Sequence, residues 1–386
     1  MSNSGPPDPG GEPALTPTVA PGPTVATGGV PTVVLDAAGP GAIARAAALL
    51  AGGGLVAFPT ETVYGLGADA TSAVAVRRVF AAKGRPATDP LIVHVASIDE
   101  AEALGDLDAG DGSARRLARE FWPGPLTVVV PRRPPLAAEV GGGRHTVALR
   151  SPAHPVALDL IRAAGVPVAA PSANRFGRVS PTTAAHVVAE LDGAVDLVLD
   201  GGPTPLGVES TVVACGEGAP RLLRPGGLTV EDLTAVAADL VVPPRVVQPE
   251  SVPAGSPGVF LGHYAPSVPV VLVEGGAAVV GALAGALRAA GVAAAALALP
   301  TGAEAAAREL YARLRELDAG LSIGRPAPGR AGASPPVGPP VILAAATDPA
   351  GLGRAVNDRL YRAAHGHLAT DASDATVRRI RERLHG

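Results

Sequence analysis

The stretch Pro59-Thr60-Glu61-Thr62-Val63-Tyr64-Gly65-Leu66-Gly67 follows directly on an apolar, strand-like run at 55–58. Three hydroxyl groups and a carboxylate lie within five of its residues. Gly65 and Gly67 predict a turn in which the backbone approaches a ligand closely, because glycine has no side chain. The stretch is therefore interpreted as a binding loop that follows a strand of an α/β fold.

Two cations and a histidine follow this loop along the chain. Lys83 and Arg85 flank Gly84, where a helix is predicted to end, and His94 lies in the apolar strand 91–95. Lys83 is the only lysine, against thirty arginines, which indicates a task for a compact ammonium such as contact with a phosphate or carboxylate. With the hydroxyl-rich loop, these groups predict a site for an amino acid beside a nucleotide. The alternative for His94 is an ordinary buried, hydrogen-bonded histidine.

Composition excludes several classes of protein. The formal net charge of −4 provides no overall positive field for nucleic acid. The single cysteine, Cys215, excludes a disulfide framework and a cysteine-based zinc site. No secretory signal is visible at the N-terminus, and the most apolar stretch, 281–300, contains glycines and an arginine that argue against a membrane span. We therefore expect a cytoplasmic protein that makes no membrane contact.

The pattern of apolar runs divides the 386 residues into four parts. Residues 1–30 lack large apolar side chains and predict a disordered tail. Residues 31–240 alternate strands and helices, but some consecutive strands have no helix between them, which predicts an α/β domain with a mixed sheet. Residues 241–269 contain seven prolines and predict an ordered linker. Residues 270–386 repeat strand and helix, which indicates a smaller Rossmann-like domain.

Further candidate residues lie at strand positions. Thr146 and Arg150 are four apart on one predicted strand, so they point to the same face, and an arginine there can clamp a carboxylate bidentately. Pro171-Ser172-Ala173-Asn174 follows a strand end, where α/β folds gather ligands, although an ordinary turn has the same composition.

Common nucleotide and nucleophile motifs do not account for these residues. The glycines of the pattern from Gly65 to Ala70 lie too far from the strand end for a dinucleotide fingerprint. The sequence has no P-loop, no nucleophile elbow and no zinc-ligand spacing. A set of cations, hydroxyls and one histidine predicts catalysis by positioning and charge neutralisation, as phosphoryl or nucleotidyl transfer requires.

Taken together, the motifs resemble the YrdC/Sua5 family over residues 30–240. The matching segments are Pro59 to Gly67, Lys83 to Pro86, Pro90 to His94, Pro123 to Thr127, Ser172 to Asn174, Gly207 to Thr211 and Leu223 to Gly226. The linker motif His263-Tyr264-Ala265-Pro266 and the second α/β domain resemble the longer Sua5 form. The resemblance implies a YrdC-like twisted mixed sheet with helices, followed by a smaller Rossmann-like C-terminal domain.

The family resemblance also implies an activity. L-threonine, bicarbonate (or CO2) and ATP would give L-threonylcarbamoyl-AMP and pyrophosphate, with Mg²⁺ bridging the phosphates and no metal site built by the protein itself. The product would pass to the machinery that modifies adenosine 37 of tRNA, and a weak direct contact with tRNA is open.

The resemblance assigns residues to two substrates. The positions that hold L-threonine correspond to Thr62, His94, Arg150, the backbone at Ala170, and Ser210. The positions around ATP correspond to Arg85, Asp89, Thr146, Ser172, Asn174, Ser180, Arg224 and Tyr264. Lys83 and Arg85 are the candidate catalytic cations. Asp89 departs from the family, which often has asparagine there, so a carboxylate near the triphosphate needs Mg²⁺ or Arg85 beside it.

Two alternatives are weighed against this assignment. A non-catalytic RNA-binding module of the same fold would use a local basic surface made by Arg115, Arg116, Arg119, Arg132 and Arg133. A related carbamoyl-transfer role would need carbamoyl-phosphate chemistry and partner domains. For the linker, we expect residues 241–269 to cross the cleft and Tyr264 to close it over the nucleotide.

Overall fold

The computed structural model describes residues 31–244, 262–322 and 339–385. The predicted tail, 1–30, and residues 245–261 of the predicted linker lie outside this described part. None of the helices described is long and apolar enough to span a membrane.

A ten-stranded mixed sheet forms the first part of the fold, in the order β1-β8-β2-β3-β7-β4-β6-β5-β9-β10. The sheet contains both parallel pairs, such as β4 with β6, and antiparallel pairs, such as β2 with β3. The strands are β1 (Val33–Asp36), β2 (Val56–Phe58), β3 (Gly65–Asp69), β4 (Ile92–His94), β5 (Leu126–Pro131), β6 (Thr146–Arg150), β7 (Val168–Ala169), β8 (Leu197–Asp200), β9 (Thr211–Ala214) and β10 (Arg221–Arg224). The short connections without a helix explain the mixed sheet, because parallel neighbours need a crossover.

Seven α-helices cover this sheet within residues 31–244. They are α1 (Ala42–Ala51), α2 (Ala73–Lys83), α3 (Ile98–Leu104), α4 (Ser113–Phe121), α5 (Pro155–Ala164), α6 (Ala184–Leu191) and α7 (Val230–Val236). The Ser72 side chain caps α2 by accepting from the Ala75 backbone, and Gly84 ends the helix at φ 63° in the left-handed region. These caps place Lys83 and Arg85 where the chain leaves the helix.

The predicted turn at Gly65 and Gly67 is wrong, because both residues belong to strand β3. A Cβ atom on Gly67 would lie 2.8 Å from Phe58 Cε1 and 2.9 Å from Val168 Cγ1. Glycine is therefore required here by close packing between neighbouring strands rather than by backbone conformation.

A four-stranded parallel sheet in the order β12-β13-β11-β14 forms the second part. Its strands are β11 (Val270–Val273), β12 (Ala293–Leu297), β13 (Pro340–Ala345) and β14 (Leu368–Ala369). Its helices are α8 (Gly276–Ala289), α9 (Ala303–Ser322), α10 (Gly353–Ala363) and α11 (Asp374–His385). The predicted fold class, a mixed α/β sheet with a smaller parallel α/β unit, is confirmed.

One buried hydrophobic cluster contains residues from both parts of the fold. Val63, Val179 and Val208 of the first part pack in the same buried cluster as Leu310 and Tyr311 of α9. Gly207 lies so close to α9 that a Cβ atom on it would be 2.6 Å from the backbone of that helix. The second part is thus packed against loops of the first, beside the predicted binding residues.

Candidate active site

A cleft collects most of the predicted binding residues. The described residues that line it are Thr60, Thr62, Val63, Gly65, Lys83, Arg85, Ile92, His94, Arg150, Ala170, Pro171, Ser172, Asn174, Phe176, Gly177, Arg178, Glu209, Ser210, Arg224, His263 and Tyr264. They come from strand ends, the 59–64 loop, the end of α2, the loop after β7 and the segment before β11. Backbone hydrogen bonds fix the loop: Tyr64 N donates to Pro181 O at 2.9 Å and Gly207 N donates to Thr62 O at 3.2 Å.

One end of the cleft offers hydrogen-bond donors suited to a carboxylate. Parallel pairing of β4 and β6 puts His94 opposite Arg150. Arg150 Nη2 donates to Thr62 Oγ1 at 2.9 Å and forms an ion pair with Glu61 Oε1 at 2.8 Å. Arg150 Nε and His94 Nδ1 are buried and have no hydrogen-bond partner within the described ranges. Such groups are rare in native interiors, and a bound ligand is one way of satisfying them.

His94 is neutral at physiological pH. Burial, and then the nearby charge of Arg150, lower its pKa to about 3. Its ring therefore offers a hydrogen-bonding nitrogen rather than a positive charge.

The floor of the cleft comes from β7 and β9. The Ala170 backbone N–H donates to Ile92 O at 2.8 Å, which joins the end of β7 to β4. Ser210 Oγ lies 2.8 Å from Thr127 Oγ1, and Arg224 Nη2 donates to Ser210 O at 2.9 Å. Arg224 therefore connects Ser210, one of the residues predicted to bind L-threonine, to the cationic end of the cleft.

Lys83 anchors the cationic end to the loop after β7. Its Nζ donates to the backbone carbonyls of Ser172, at 2.6 Å, and Asn174. Asn174 Nδ2 donates in turn to Arg178 O at 2.9 Å. Burial, and then the charge of Arg85, lower the pKa of Lys83 to about 7. The segments 83–85 and 172–174, which are separate motifs in the sequence, are therefore in direct contact.

Asp89 supports Arg85 and does not line the cleft. Its fully buried carboxylate forms an ion pair with Arg85, Nη2 to Oδ2 at 2.9 Å. Burial raises the pKa of Asp89 even though Arg85 opposes the shift. Asp89 therefore contacts the Arg85 guanidinium from outside the cleft lining, unlike most of the residues predicted around ATP.

Thr146 and Ser180 also lie outside the cleft lining. Thr146 occupies the far end of β6, about 13 Å from Arg150 at the rise of a strand, so a shared face does not bring it to the site. Ser180 Oγ donates to Glu209 Oε1 at 2.6 Å, and Glu209 itself lines the cleft.

Several functional candidates escaped the sequence reasoning. Phe176 and His263 line the cleft with their rings 4.9 Å apart, edge to face. Glu209 lies within the family-matching segment Gly207 to Thr211 but was assigned no role. Its signal was the motif Gly207-x-Glu209-Ser210-Thr211, because a carboxylate beside an assigned serine needs a cationic partner when buried.

The residues present fit a metal ion that arrives with a nucleotide. Within the described ranges, no cluster of three or more His, Cys, Asp or Glu residues is able to hold a metal ion. Among the lining residues described, Glu209 is the single carboxylate, and Ser180 and Tyr311 already donate to it. Mg²⁺ commonly binds through substrate phosphates and water, which this donor set allows.

The arginine-rich surface considered for RNA is offset by acidic partners. Arg115 pairs with Glu102 and Asp108, and Arg116 pairs with Asp111 at 2.8 Å. Arg133 also pairs with an aspartate, at 3.1 Å, whereas Arg132 donates to two backbone carbonyls. This surface therefore gives little support to the RNA-binding alternative.

Comparison with known proteins identifies close relatives. The Sua5/YciO/YrdC family model, described as "Telomere recombination", matches residues 48–226, and the model "Threonylcarbamoyl-AMP synthase, C-terminal domain" matches residues 228–365. The threonylcarbamoyl-AMP synthase of Bacillus subtilis (strain 168) is 49% identical over 234 residues, which are 60% of this chain and 67% of that protein. The enzyme of Pyrococcus abyssi (strain GE5 / Orsay) is 48% identical over 230 residues, with the same shares.

A solved structure is similar over nearly its whole length. The crystal structure of P. abyssi Sua5 complexed with L-threonine has a TM-score of 0.75 and 40% sequence identity to this chain. The match covers 85% of this chain and 95% of that chain, so both parts of the fold are included.

Proposed function

Because the chain belongs to the Sua5/YciO/YrdC family and also carries the C-terminal domain of the threonylcarbamoyl-AMP synthases, we propose that it makes L-threonylcarbamoyl-AMP. L-threonine, bicarbonate (or CO2) and ATP are the substrates, and pyrophosphate is released. One observation supports this most strongly: a single cleft joins Arg150 Nε and His94 Nδ1, which are buried and have no hydrogen-bond partner among the described residues, to a cationic end with Lys83 and Arg85.

L-threonine is proposed to bind at the Arg150 end. Arg150 Nε and a terminal nitrogen would hold the carboxylate, since a guanidinium matches it bidentately. Neutral His94 would donate or accept one hydrogen bond, and Thr62 and Ser210 supply hydroxyls beside it. The backbone at Ala170 lies in the same wall of the cleft.

ATP is proposed to bind at the end formed by Lys83, Arg85 and Arg224, with Ser172, Asn174 and Tyr264 beside it. Positive groups there would balance the charge that develops on the leaving pyrophosphate. Mg²⁺ would come with ATP, coordinated by phosphates and water, and supply further charge neutralisation. Asp89 would act through Arg85, Ser180 would act through Glu209, and Thr146 is not expected to contact the nucleotide.

Two bond-forming steps complete the reaction. The threonine amine adds to bicarbonate or CO2 to give a carbamate, and water leaves when bicarbonate is the source, or a proton when CO2 is. A carbamate oxygen then attacks the α-phosphorus of ATP, the bond to the β-phosphate oxygen breaks, and pyrophosphate departs. The cleft would contribute chiefly proximity, because it holds the amino acid and the nucleotide side by side.

Pyrophosphate release provides the direct test. The full chain is incubated with ATP, bicarbonate and Mg²⁺, with and without L-threonine. We expect release only when threonine is present, and formation of a threonylcarbamoyl adenylate detected by mass spectrometry. Release that does not depend on threonine, or no release, would refute the proposal.

The later steps also remain proposals. The adenylate is expected to pass to a tRNA threonylcarbamoyl-transfer machinery in the cytoplasm, for N6-threonylcarbamoylation of adenosine 37. Direct tRNA binding would appear as salt-sensitive retention of tRNA by the full chain. Binding of that kind without ATP turnover would instead favour the non-catalytic RNA-binding alternative.

A further inference from the structure

Arg359 of α10 is a fully buried arginine at the contact between the two parts of the fold. Its Nη1 forms an ion pair with Asp358 Oδ2 at 2.7 Å. Asp358 is itself held by Arg362, whose Nη2 lies 2.9 Å from Oδ1. Ion pairs within α10 thus hold the Arg359 guanidinium in place beside the cleft.

The guanidinium contacts three separate segments of the cleft wall. Arg359 Nε donates to Glu209 Oε2 at 2.7 Å, just before β9. Its Nη2 donates to Pro225 O at 3.0 Å, the residue after the cleft-lining Arg224. Its Cζ lies 4.9 Å from the centre of the Tyr264 ring. A planar fork of donors with a flat face makes these three contacts together.

Tyr264 needs such support because its backbone is strained. Its φ of 62° lies in the left-handed region, which a bulky residue without glycine's freedom rarely adopts. Arg359 packs on the Tyr264 ring, and so does Tyr311 of α9, whose ring centre is 5.9 Å away. Contacts from the second part of the chain therefore stabilise a conformation that the local sequence disfavours.

The same contacts neutralise the carboxylate of the cleft. Burial alone would raise the pKa of Glu209, but the charges of Arg359 and Arg224 lower it below its usual value, so Glu209 is ionised. Without a paired cation, that charge would face the polyphosphate of the proposed nucleotide. Tyr311 Oη donates to Glu209 Oε2 at 2.8 Å and orients the same group.

We propose that Arg359 is a positioning residue for the nucleotide: it orders Tyr264, Pro225 and Glu209 so that the ATP end of the cleft is complete only when the C-terminal domain is docked. This inference rests on the proposed function, since it assumes that the cationic end binds ATP. Arg359 does not line the cleft and acts through residues that do. Within the described residues, Arg359 donates to Glu209, Pro225 and Asp358 and not to the threonine end, which should therefore be affected much less.

The test measures the binding of each substrate alone by calorimetry on the full chain. MgATP is titrated without threonine, and L-threonine is titrated without ATP. Arg359→Lys retains the charge but loses the fork, so we expect the ATP dissociation constant to rise about tenfold and that of threonine to stay within about twofold. Tyr311→Phe, which keeps the ring stack, should weaken ATP binding about threefold. Arg354→Lys is the matched control, because Arg354 is exposed on the same helix.

The outcomes separate the inference from the proposed function. Wild-type protein that binds no MgATP overturns both. Wild-type binding that is unchanged in Arg359→Lys and Tyr311→Phe, or equal losses of ATP and threonine binding, overturns only the positioning role. In a third variant, Arg359→Met with Glu209→Gln, partial recovery of ATP binding relative to Arg359→Met alone is expected, since the unpaired carboxylate is gone. If Arg359→Met does not fold, the Lys and Phe variants decide the question.

Discussion

Arg150 Nη2 lies 2.8 Å from Glu61 Oε1 and 2.9 Å from Thr62 Oγ1, so one nitrogen is shared by a carboxylate and a hydroxyl of the same loop. Both charged side chains are buried. Arg150 is thereby oriented with its Nε left without a partner in the part of the chain that the structure describes. An arginine held in this way still has a donor with which to bind a second carboxylate.

Replacing Arg150 by alanine should raise the KM for threonine about 100-fold, since hydrogen bonds to a charged group contribute about 1.5–3 kcal/mol. The KM for ATP should change much less. Steady-state pyrophosphate release at varied threonine provides the measurement. Because the alanine variant leaves Glu61 unpaired, the double variant with Glu61→Gln controls for that buried charge. An unchanged threonine dependence in both variants would contradict the clamp.

ATP binding should weaken as the pH rises through about 7. The buried Lys83 has a pKa of about 7, so below that pH it is a cation at the phosphate end and above it becomes neutral. The ATP dissociation constant, measured from pH 6 to pH 9 with excess Mg²⁺, should rise up to about tenfold per pH unit above the break. Lys83→Met should bind ATP more weakly and show no break. A break that persists in the methionine variant would assign the titration to another group.

Lys83 should also influence stability. Its folded pKa of about 7 is below the ordinary value of 10.5, so between these pH values the unfolded chain binds more protons than the folded one. The free energy of unfolding should therefore rise with pH across this window relative to Lys83→Met. Urea unfolding of both proteins at several pH values would detect the difference. If the free energy of unfolding changed with pH in the same way in both proteins, Lys83 would have no such influence.

Asp89 should tolerate asparagine but not alanine. An asparagine Oδ1 is able to accept from Arg85 Nη2, which now lies 2.9 Å from Asp89 Oδ2, whereas alanine leaves the buried guanidinium without that partner. We expect the ATP dissociation constant to stay within about threefold for Asp89→Asn and to rise about tenfold for Asp89→Ala. Equal losses in the two variants would show that the carboxylate itself serves the nucleotide or its metal.

Gly67→Ala should destabilise the protein by about 1–3 kcal/mol, because the new methyl group would overlap Phe58 and Val168. The matched control is Gly285→Ala on α8, where a Cβ atom meets nothing within 4 Å and alanine should stabilise the helix by about 0.5–1 kcal/mol. Denaturant unfolding measures both. If Gly67→Ala left the free energy of unfolding unchanged, β3 would have to move away easily from β2 and β7 at this point.

Local pattern was enough for the parts of the site whose residues lie close in the chain or at strand ends. The strand with His94, the helix that ends at Lys83 and the strand with Arg150 were all predicted within a residue or two. Gly67 was misread because a glycine that relieves crowding between strands has the same one-letter pattern as a glycine in a turn. Asp89 and Thr146 match ATP positions of the family but do not line the cleft, since a motif gives the order of residues but not which of them face a cleft.

The amino-acid sequence by itself determined the α/β class, the two sheets and most of the residues in the cleft, because periodicity, caps and linked motifs are local properties of the chain. Only the tertiary structure decided that Arg359 and Tyr311 reach Glu209, from 150 and 102 positions away along the chain. The tertiary structure likewise decided that Asp89 pairs with Arg85 outside the cleft lining. Contacts at such separations are selected by the packing of the two parts against each other, and no local pattern records that packing.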